Sequence, residues 1–468
     1  MKQVYLYGML CCIILLFNHG SCDSAIHVGH RVSLAIPLEF ISGFIGRAFL
    51  MDANLMEPNF KVALSAEATV KGKYSCSLEV FLGDVKVWNS GHYSQFYASD
   101  VCVLELTEDG DLQLKGPKDR VGWRTGTAGQ GVERLQILKT GNLVLVDVLN
   151  QIKWQSFNFP TDVMLWGQRL DVATRLTSFP RNSTSFYTFE IQHNKIALYL
   201  NSGKLKYSYW EFKPSKNRNI TFLELGSKGL ELFNDKHKKI AQIASWRIQP
   251  LRFLALGNKT GNLGLYLYSP ISGKFEASFQ ALNSTCDLPL ACKPYGICTF
   301  SNACSCIRLL TKGNDMNSAD CNEGNPKNFC SGLQVEMLEL NGVSSVLRDA
   351  SKMVNVSKAT CASLCLSDCK CLAALYSSGK GSTNLQECFL YRLVAGVKQV
   401  ERGSGLSYMV KVPKGIRDSH NKPSVKKWVL IVVGVVDGLV IILVVGGLAY
   451  YLIQKRRKSL LSATDNNT

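Results

Sequence analysis

From about residue 23 to residue 283 the chain reads as short apolar runs broken by turn-forming residues, and no ten-residue amphipathic helical pattern stands out. Val101–Leu106 leads through Glu108-Asp109-Gly110-Asp111 to Leu112-Gln113-Leu114, and Leu135–Leu138 leads through Lys139-Thr140-Gly141-Asn142 to Leu143–Val146. Asp-Gly and Gly-Asn tolerate the positive φ of tight turns, so each stretch predicts a β-hairpin. The second echoes the first 31 residues later. A repeat at that period fits a barrel or prism assembled from similar sheets.

Two longer apolar runs lie outside this pattern. Met9–Phe17, behind Lys2 and before Gly20-Ser21-Cys22, has the basic start, apolar centre and small-residue end of a secretory signal peptide over residues 1–22. Trp428–Ile453 is 26 residues with one charge, Asp437, which is enough to span a bilayer as a helix. Lys455-Arg456-Arg457-Lys458 follow at once, as the positive-inside rule asks of a cytoplasmic flank, so residues 454–468 are expected inside the cell and the amino-terminal side outside. Asn182, Asn219, Asn258, Asn283 and Asn355 stand in Asn-x-Ser/Thr sequons, all on the expected outer side.

Trp154-Gln155-Ser156-Phe157-Asn158-Phe159-Pro160-Thr161-Asp162, continuing to Gly167-Gln168-Arg169-Leu170, is the most specific segment of the chain. It resembles the signature that closes the first lectin domain in plant bulb-type (mannose-binding) lectins fused into S-locus-glycoprotein-like ectodomains. Thr140-Gly141-Asn142-Leu143-Val144-Leu145 is similar to a second element of that family. The resemblance implies a mainly β protein: a bulb-type lectin β-prism at 23–160, a second lectin-like, S-locus-glycoprotein region at 161–283, an EGF-like module at 284–322, a PAN/apple α+β module at 330–412 and a single transmembrane helix at 428–453. Many relatives of this architecture continue into a cytoplasmic kinase. Fifteen residues follow the span here, so the expectation is a receptor-like protein without one.

Cysteine usage agrees with an oxidising compartment. Of 17 cysteines, three fall in the first 22 residues, leaving an even 14, twelve of them between 286 and 388. Six cysteines permit fifteen pairings. For the EGF-like set the resemblance implies Cys286–Cys298, Cys292–Cys304 and Cys306–Cys321; for the PAN set it implies Cys361–Cys388 and Cys365–Cys371. Cys330–Cys369 is then the pair left over, and Cys76 and Cys102 are left for each other in the first lectin unit.

The net charge of +17 leaves +14 between the two apolar runs. The basic residues are scattered rather than gathered in a stripe, so nucleic acid is not expected as a partner; an anionic polysaccharide or acidic matrix suits the charge, against the alternative that the charge serves solubility alone. The family's mannose motif, Gln-x-Asp-x-Asn-x-Val-x-Tyr, aligns twice and is degraded both times. The first copy keeps Asp109 and has Asp111 for Asn; Thr107, Gln113 and Lys115 fill the other positions. The second keeps Asn142 and Val144, with Leu138, Thr140 and Val146 at the rest. Asp109, Asp111 and Asn142 are the candidate sugar-binding residues, against the alternative that both copies are turn chemistry in a scaffold. No catalytic motif and no metal or cofactor set is recognisable; His27-x-x-His30 lacks further ligands. Gly434-x3-Gly438 around Asp437 has the small-residue spacing that lets membrane helices approach. The expected function is a single-pass plasma-membrane receptor-like protein, not an enzyme. It would recognise an extracellular glycan, glycoprotein or peptide and act through lateral partners, as a homodimer or with a receptor-kinase co-receptor. The alternative is a cell-wall adhesion protein that binds carbohydrate without signalling.

Overall fold

The computed structural model describes residues 25–53, 58–180, 183–215, 219–245, 247, 249–307, 321, 329–330, 334–379, 385–401, 403–414 and the helix 427–464. The expected signal peptide and Asn182 lie outside the described residues.

Three strands open the first prism, Ala25–His27, Arg31–Ala35 and Ile45–Asp52. Each then receives a three-stranded meander, in reverse order. Ile45–Asp52 pairs with Phe60–Ala68, which continues to Tyr74–Leu82 and Val85–Asn89. Arg31–Ala35 pairs with Val101–Leu106, ahead of Leu112–Lys115 and Val121–Arg124. Ala25–His27 pairs with Val132–Ile137, ahead of Leu143–Asp147 and Ile152–Gln155. The result is a prism of three sheets. The third strands of these meanders each carry a tryptophan, Trp88, Trp123 and Trp154. Their rings meet pairwise at 6.4, 5.9 and 6.0 Å between centroids, all edge to face, the arrangement aromatic quadrupoles prefer. Leu78, Leu104, Leu112, Leu143 and Leu145, all fully or almost fully buried, fill the space around them.

The wiring then repeats. Val163–Leu165, Arg169–Asp171 and Arg175–Ser178 take their meanders in the same reversed order, from Leu251–Leu256, Phe222–Gly226 and Ser185–Gln192. This second prism packs its aromatic core around Tyr187, Phe189 and Tyr209. Val163, Leu165 and Phe253 belong to the first prism's core cluster, so the two prisms are fused through one sheet of the second.

Seven disulfides are present among the described residues. Cys76–Cys102 ties two sheets of the first prism. Cys286–Cys298, Cys292–Cys304 and Cys306–Cys321 staple the segment after the second prism. Cys330–Cys369, Cys361–Cys388 and Cys365–Cys371 staple the next. There, helix Lys358–Ser367, capped by the Ser357 side chain, lays Cys361 and Cys365 against a five-stranded sheet. The two cysteine-rich segments are not independent. Gly296–Cys298 pairs in parallel with Val397–Gln399, which also pairs with Val343–Ser345, so one sheet joins both. Lys398 reinforces it by pairing with Asp287 at 2.5 Å.

Residues from 412 onward form a separate compact unit. Its helix, Lys427–Thr464, contains Gly438–Arg456, a stretch long and apolar enough to cross a membrane. The helix outlasts the expected span 428–453 because Gln454–Ala463 is rich in Lys, Arg, Leu and Ala, good helix formers that need no bilayer to stay helical.

Candidate carbohydrate site

The three meanders of the first prism place equivalent polar residues on the second strand or just ahead of it. At each, a leucine amide donates to a hydroxyl just after the tryptophan of the next strand. Leu78 bonds Ser90 at 2.9 Å, Leu112 bonds Thr125 at 3.1 Å and Leu143 bonds Ser156 at 3.0 Å. The residues before those leucines, Ser77, Asp111 and Asn142, therefore occupy matching positions.

Asp111 is 1% exposed. Its Oδ1 accepts from Gly126 N at 2.7 Å, Thr125 Oγ1 at 3.0 Å and Thr127 N at 3.1 Å, and its Oδ2 from Gln113 Nε2 at 2.9 Å. Burial works to raise this carboxyl, but donation from Gln113, Thr127, Thr125 and Gly126 outweighs it and holds Asp111 below the ordinary aspartate range. Asn142 is 5% exposed. Its Nδ2 donates to Gln155 at 2.8 Å, and its Oδ1 accepts from Ser156 Oγ and Phe157 N, both at 3.2 Å. Val144 and Val146 beside it are buried. The turn that delivers Asn142 needs Gly141, whose φ is +81° and where a Cβ would come within 2.4 Å of the Phe60 ring. Both residues thus spend most of their bonding capacity on the protein.

Asp109 stays exposed on its turn, accepts from the Thr107 hydroxyl, and receives the Gly129 amide on its backbone carbonyl at 2.8 Å. Lys115 is drawn to Glu105 at 3.1 Å. The structure therefore does not bring Asp109, Asp111 and Asn142 together: the first two share one hairpin and Asn142 sits on another sheet.

The third matching position was not apparent from sequence. Ser75, Ser77 and Glu79 line a cleft of about 390 Å³ whose far wall includes Thr161, Asp162 and Phe179 of the second prism. Glu79 is 1% exposed, accepts from Ser65 at 2.6 Å and Ser77 at 3.1 Å, and pairs with Lys86 and with Arg47 at 3.6 Å. Glu67, partly buried, gains from Lys86 and Arg47 more than burial costs it, so its carboxyl is held low. The signal that could have revealed this sheet is Trp-x-Ser/Thr, which recurs at 88–90, 123–125 and 154–156.

Asn219, Asn258, Asn283 and Asn355 are all exposed. His27 faces Glu133 at 3.6 Å, and among the described residues no group of three His, Cys, Asp or Glu is placed to hold a metal ion. The helix contains Gly434, Asp437 and Gly438, and a Cβ on Gly438 would meet nothing within 4 Å.

Two identically wired prisms of three sheets, disulfide-stapled segments after them and, among the described residues, one apolar helix define a mainly β protein. Residues 87–187 match the family described as D-mannose binding lectin. The chain is 24% identical, over 82% of its length and 47% of the relative's, to a G-type lectin S-receptor-like serine/threonine-protein kinase of Arabidopsis thaliana. It is 25% identical, over 59% of its length and 58% of the relative's, to a PAN domain-containing protein of the same plant. The chain thus spans about half the length of the curated relatives it matches. Among solved structures, a monomeric mannose-binding lectin from Gastrodia elata shares 22% identity, covering 29% of this chain and 96% of that one, with a TM-score of 0.20. The matches support a bulb-type lectin, S-locus-glycoprotein-like, receptor-like protein.

Proposed function

We propose that the chain is a non-enzymatic, single-pass cell-surface protein whose prism pair recognises an extracellular glycan or glycoprotein, and that it acts with lateral partners in the membrane. The observation that carries this reading is the duplicated prism, in a chain whose residues 87–187 match a sugar-binding family and which also bears one apolar helix. The residues after the second prism serve as EGF-like and PAN modules that share a sheet and so present the prisms on a stiff base. Asp111 and Asn142 hold the scaffold, and sugar binding uses other surfaces. The full-length chain in lipid nanodiscs, applied to an array of neutral and acidic glycans, tests this: saturable binding to a defined glycan class supports it, and no binding to any glycan refutes it. Lateral association predicts that replacing Asp437 and Gly438 reduces co-precipitation of membrane partners; unchanged partners would remove that half of the proposal.

A further inference from the structure

A cleft of about 840 Å³ lies at the seam between two sheets of the first prism. It opens around the turn at 72–74 and the segment 117–122, off the faces that carry Ser75–Glu79 and Thr107–Lys115. Aromatic rings form much of its wall: Phe40 is exposed and Tyr97 partly so, while Tyr74 and Phe96 are buried. Phe96 can lie flat against the neighbouring strand because Gly122 has no side chain; a Cβ there would fall 1.9 Å from the ring.

Two cations rim this cleft, and no Asp or Glu lines it. The Arg120 guanidinium sits 5.2 Å from the Phe96 ring centre and the Lys73 ammonium 5.8 Å from that of Tyr97. Arg120 donates one bond to the Tyr97 carbonyl at 2.8 Å, which leaves most of its fork unspent. Neither cation pairs with a carboxylate among the described residues, whereas nearby Arg31, Arg47, Lys86 and Lys115 all do. Both Lys73 and Arg120 are exposed.

We propose that this cleft binds an acidic oligosaccharide, a chain of uronic acid residues. The C–H face of a pyranose ring is apolar and electropositive, and fits an aromatic ring face. A carboxylate on the same ring would complete the open fork of Arg120 bidentately, with Lys73 as a second positive charge. A neutral sugar would leave both cations unused. The ectodomain's excess of +14 draws the same class of polymer toward the surface. This site rests on the carbohydrate reading above and gives it a ligand class and a location.

The probe is an oligomer of α-1,4-linked galacturonic acid, measured calorimetrically against the full-length chain in nanodiscs, beside its methyl ester, a mannan oligomer, poly-glutamate and a fatty acid. The acid form should bind and weaken as salt rises, while the methyl ester should not bind. The double variant Lys73→Ala/Arg120→Ala should lose about tenfold or more in affinity, with unfolding unchanged because both side chains are exposed. Equal binding of acid and ester, or of wild type and double variant, would overturn the proposal. Mannan binding without galacturonan binding would overturn it while sparing the lectin reading. Preference for poly-glutamate or the fatty acid would also overturn it, and failure of every glycan would take the lectin reading down as well.

Discussion

Asp111→Ala separates a scaffold role from a ligand role. The substitution deletes four hydrogen bonds, three to Oδ1 and one to Oδ2. Thr125 and Gln113 are half-exposed and can turn to water, and the Gly126 amide sits at an exposed residue. Thr127 is 2% exposed, so its amide has no substitute acceptor. A bond to a charged group is worth about 1.5–3 kcal/mol net, and an orphaned buried donor costs about 1–3 kcal/mol. Three of the four bonds can be partly replaced by water, which puts the loss at about 2–4 kcal/mol. For a unit of this size that lowers the melting temperature by about 5–15 °C.

The assay is thermal unfolding of the full-length chain with its disulfides intact, followed by circular dichroism in the β-sheet region. Asp111→Asn should cost less, since one amide oxygen can still accept from Thr125, Gly126 and Thr127. The pair also differ in pH response. The folded-state pKa of Asp111 lies below its unfolded value of 3.8, so its carboxylate contributes stability above that value. That contribution disappears as pH falls through the lower, folded value, and it is absent from Asp111→Asn at every pH. A melting temperature unchanged by Asp111→Ala, together with loss of glycan binding, would refute the reasoning and return Asp111 to the ligand site.

Three further outcomes follow from the geometry. Trp88→Ala should cost about 3–5 kcal/mol by opening a void among the three tryptophans, seen as loss of near-ultraviolet ellipticity and a lower melting temperature. Gly141→Ala should cost about 2–4 kcal/mol, since it combines a φ of +81° with collision against Phe60; native stability in Gly141→Ala would mean that turn is not rigid. Replacing Cys361 and Cys388 together by Ala should cost about 2–5 kcal/mol, and helix Lys358–Ser367 should become protease-sensitive before the prisms do.

Some of this fold is legible locally and some is not. The hairpins at 101–114 and 135–146 announce themselves through alternation and turn chemistry, as does the apolar helix through its length. The opening strands do not: Ala25–His27 and Val163–Leu165 are three residues each, too short for any periodicity, and only closure of the sheet defines them. The third sheet of the first prism escaped the repeat because its tryptophan precedes the next by 35 residues rather than 31, with Phe96–Ala98 inserted between. The sheet joining the two cysteine-rich segments pairs Ile297 with Val397 in parallel, and nothing near either residue encodes a partner a hundred positions away.

The candidate sugar residues were ambiguous for a related reason. An Asp or Asn in a turn has the same sequence signature whether its oxygens face a ligand or the chain, because the deciding partners lie 13 to 16 residues onward, on another strand. A carboxylate or amide offers a fixed number of bonding positions, and those Asp111 and Asn142 use are committed inside the prism. Recognition of a ligand has to come from groups whose capacity is still unspent. In the first prism the ion pairs of Arg31, Arg47, Lys86 and Lys115 show cations already neutralised, while Lys73 and Arg120 stand beside aromatic rings with no carboxylate supplied by the described fold. An unpaired cation is inexpensive where water solvates it, so its exposure alone argues nothing. Two of them on the rim of one aromatic cleft that holds no acid are different, because an arriving carboxylate would meet both charges and an apolar ring face at once.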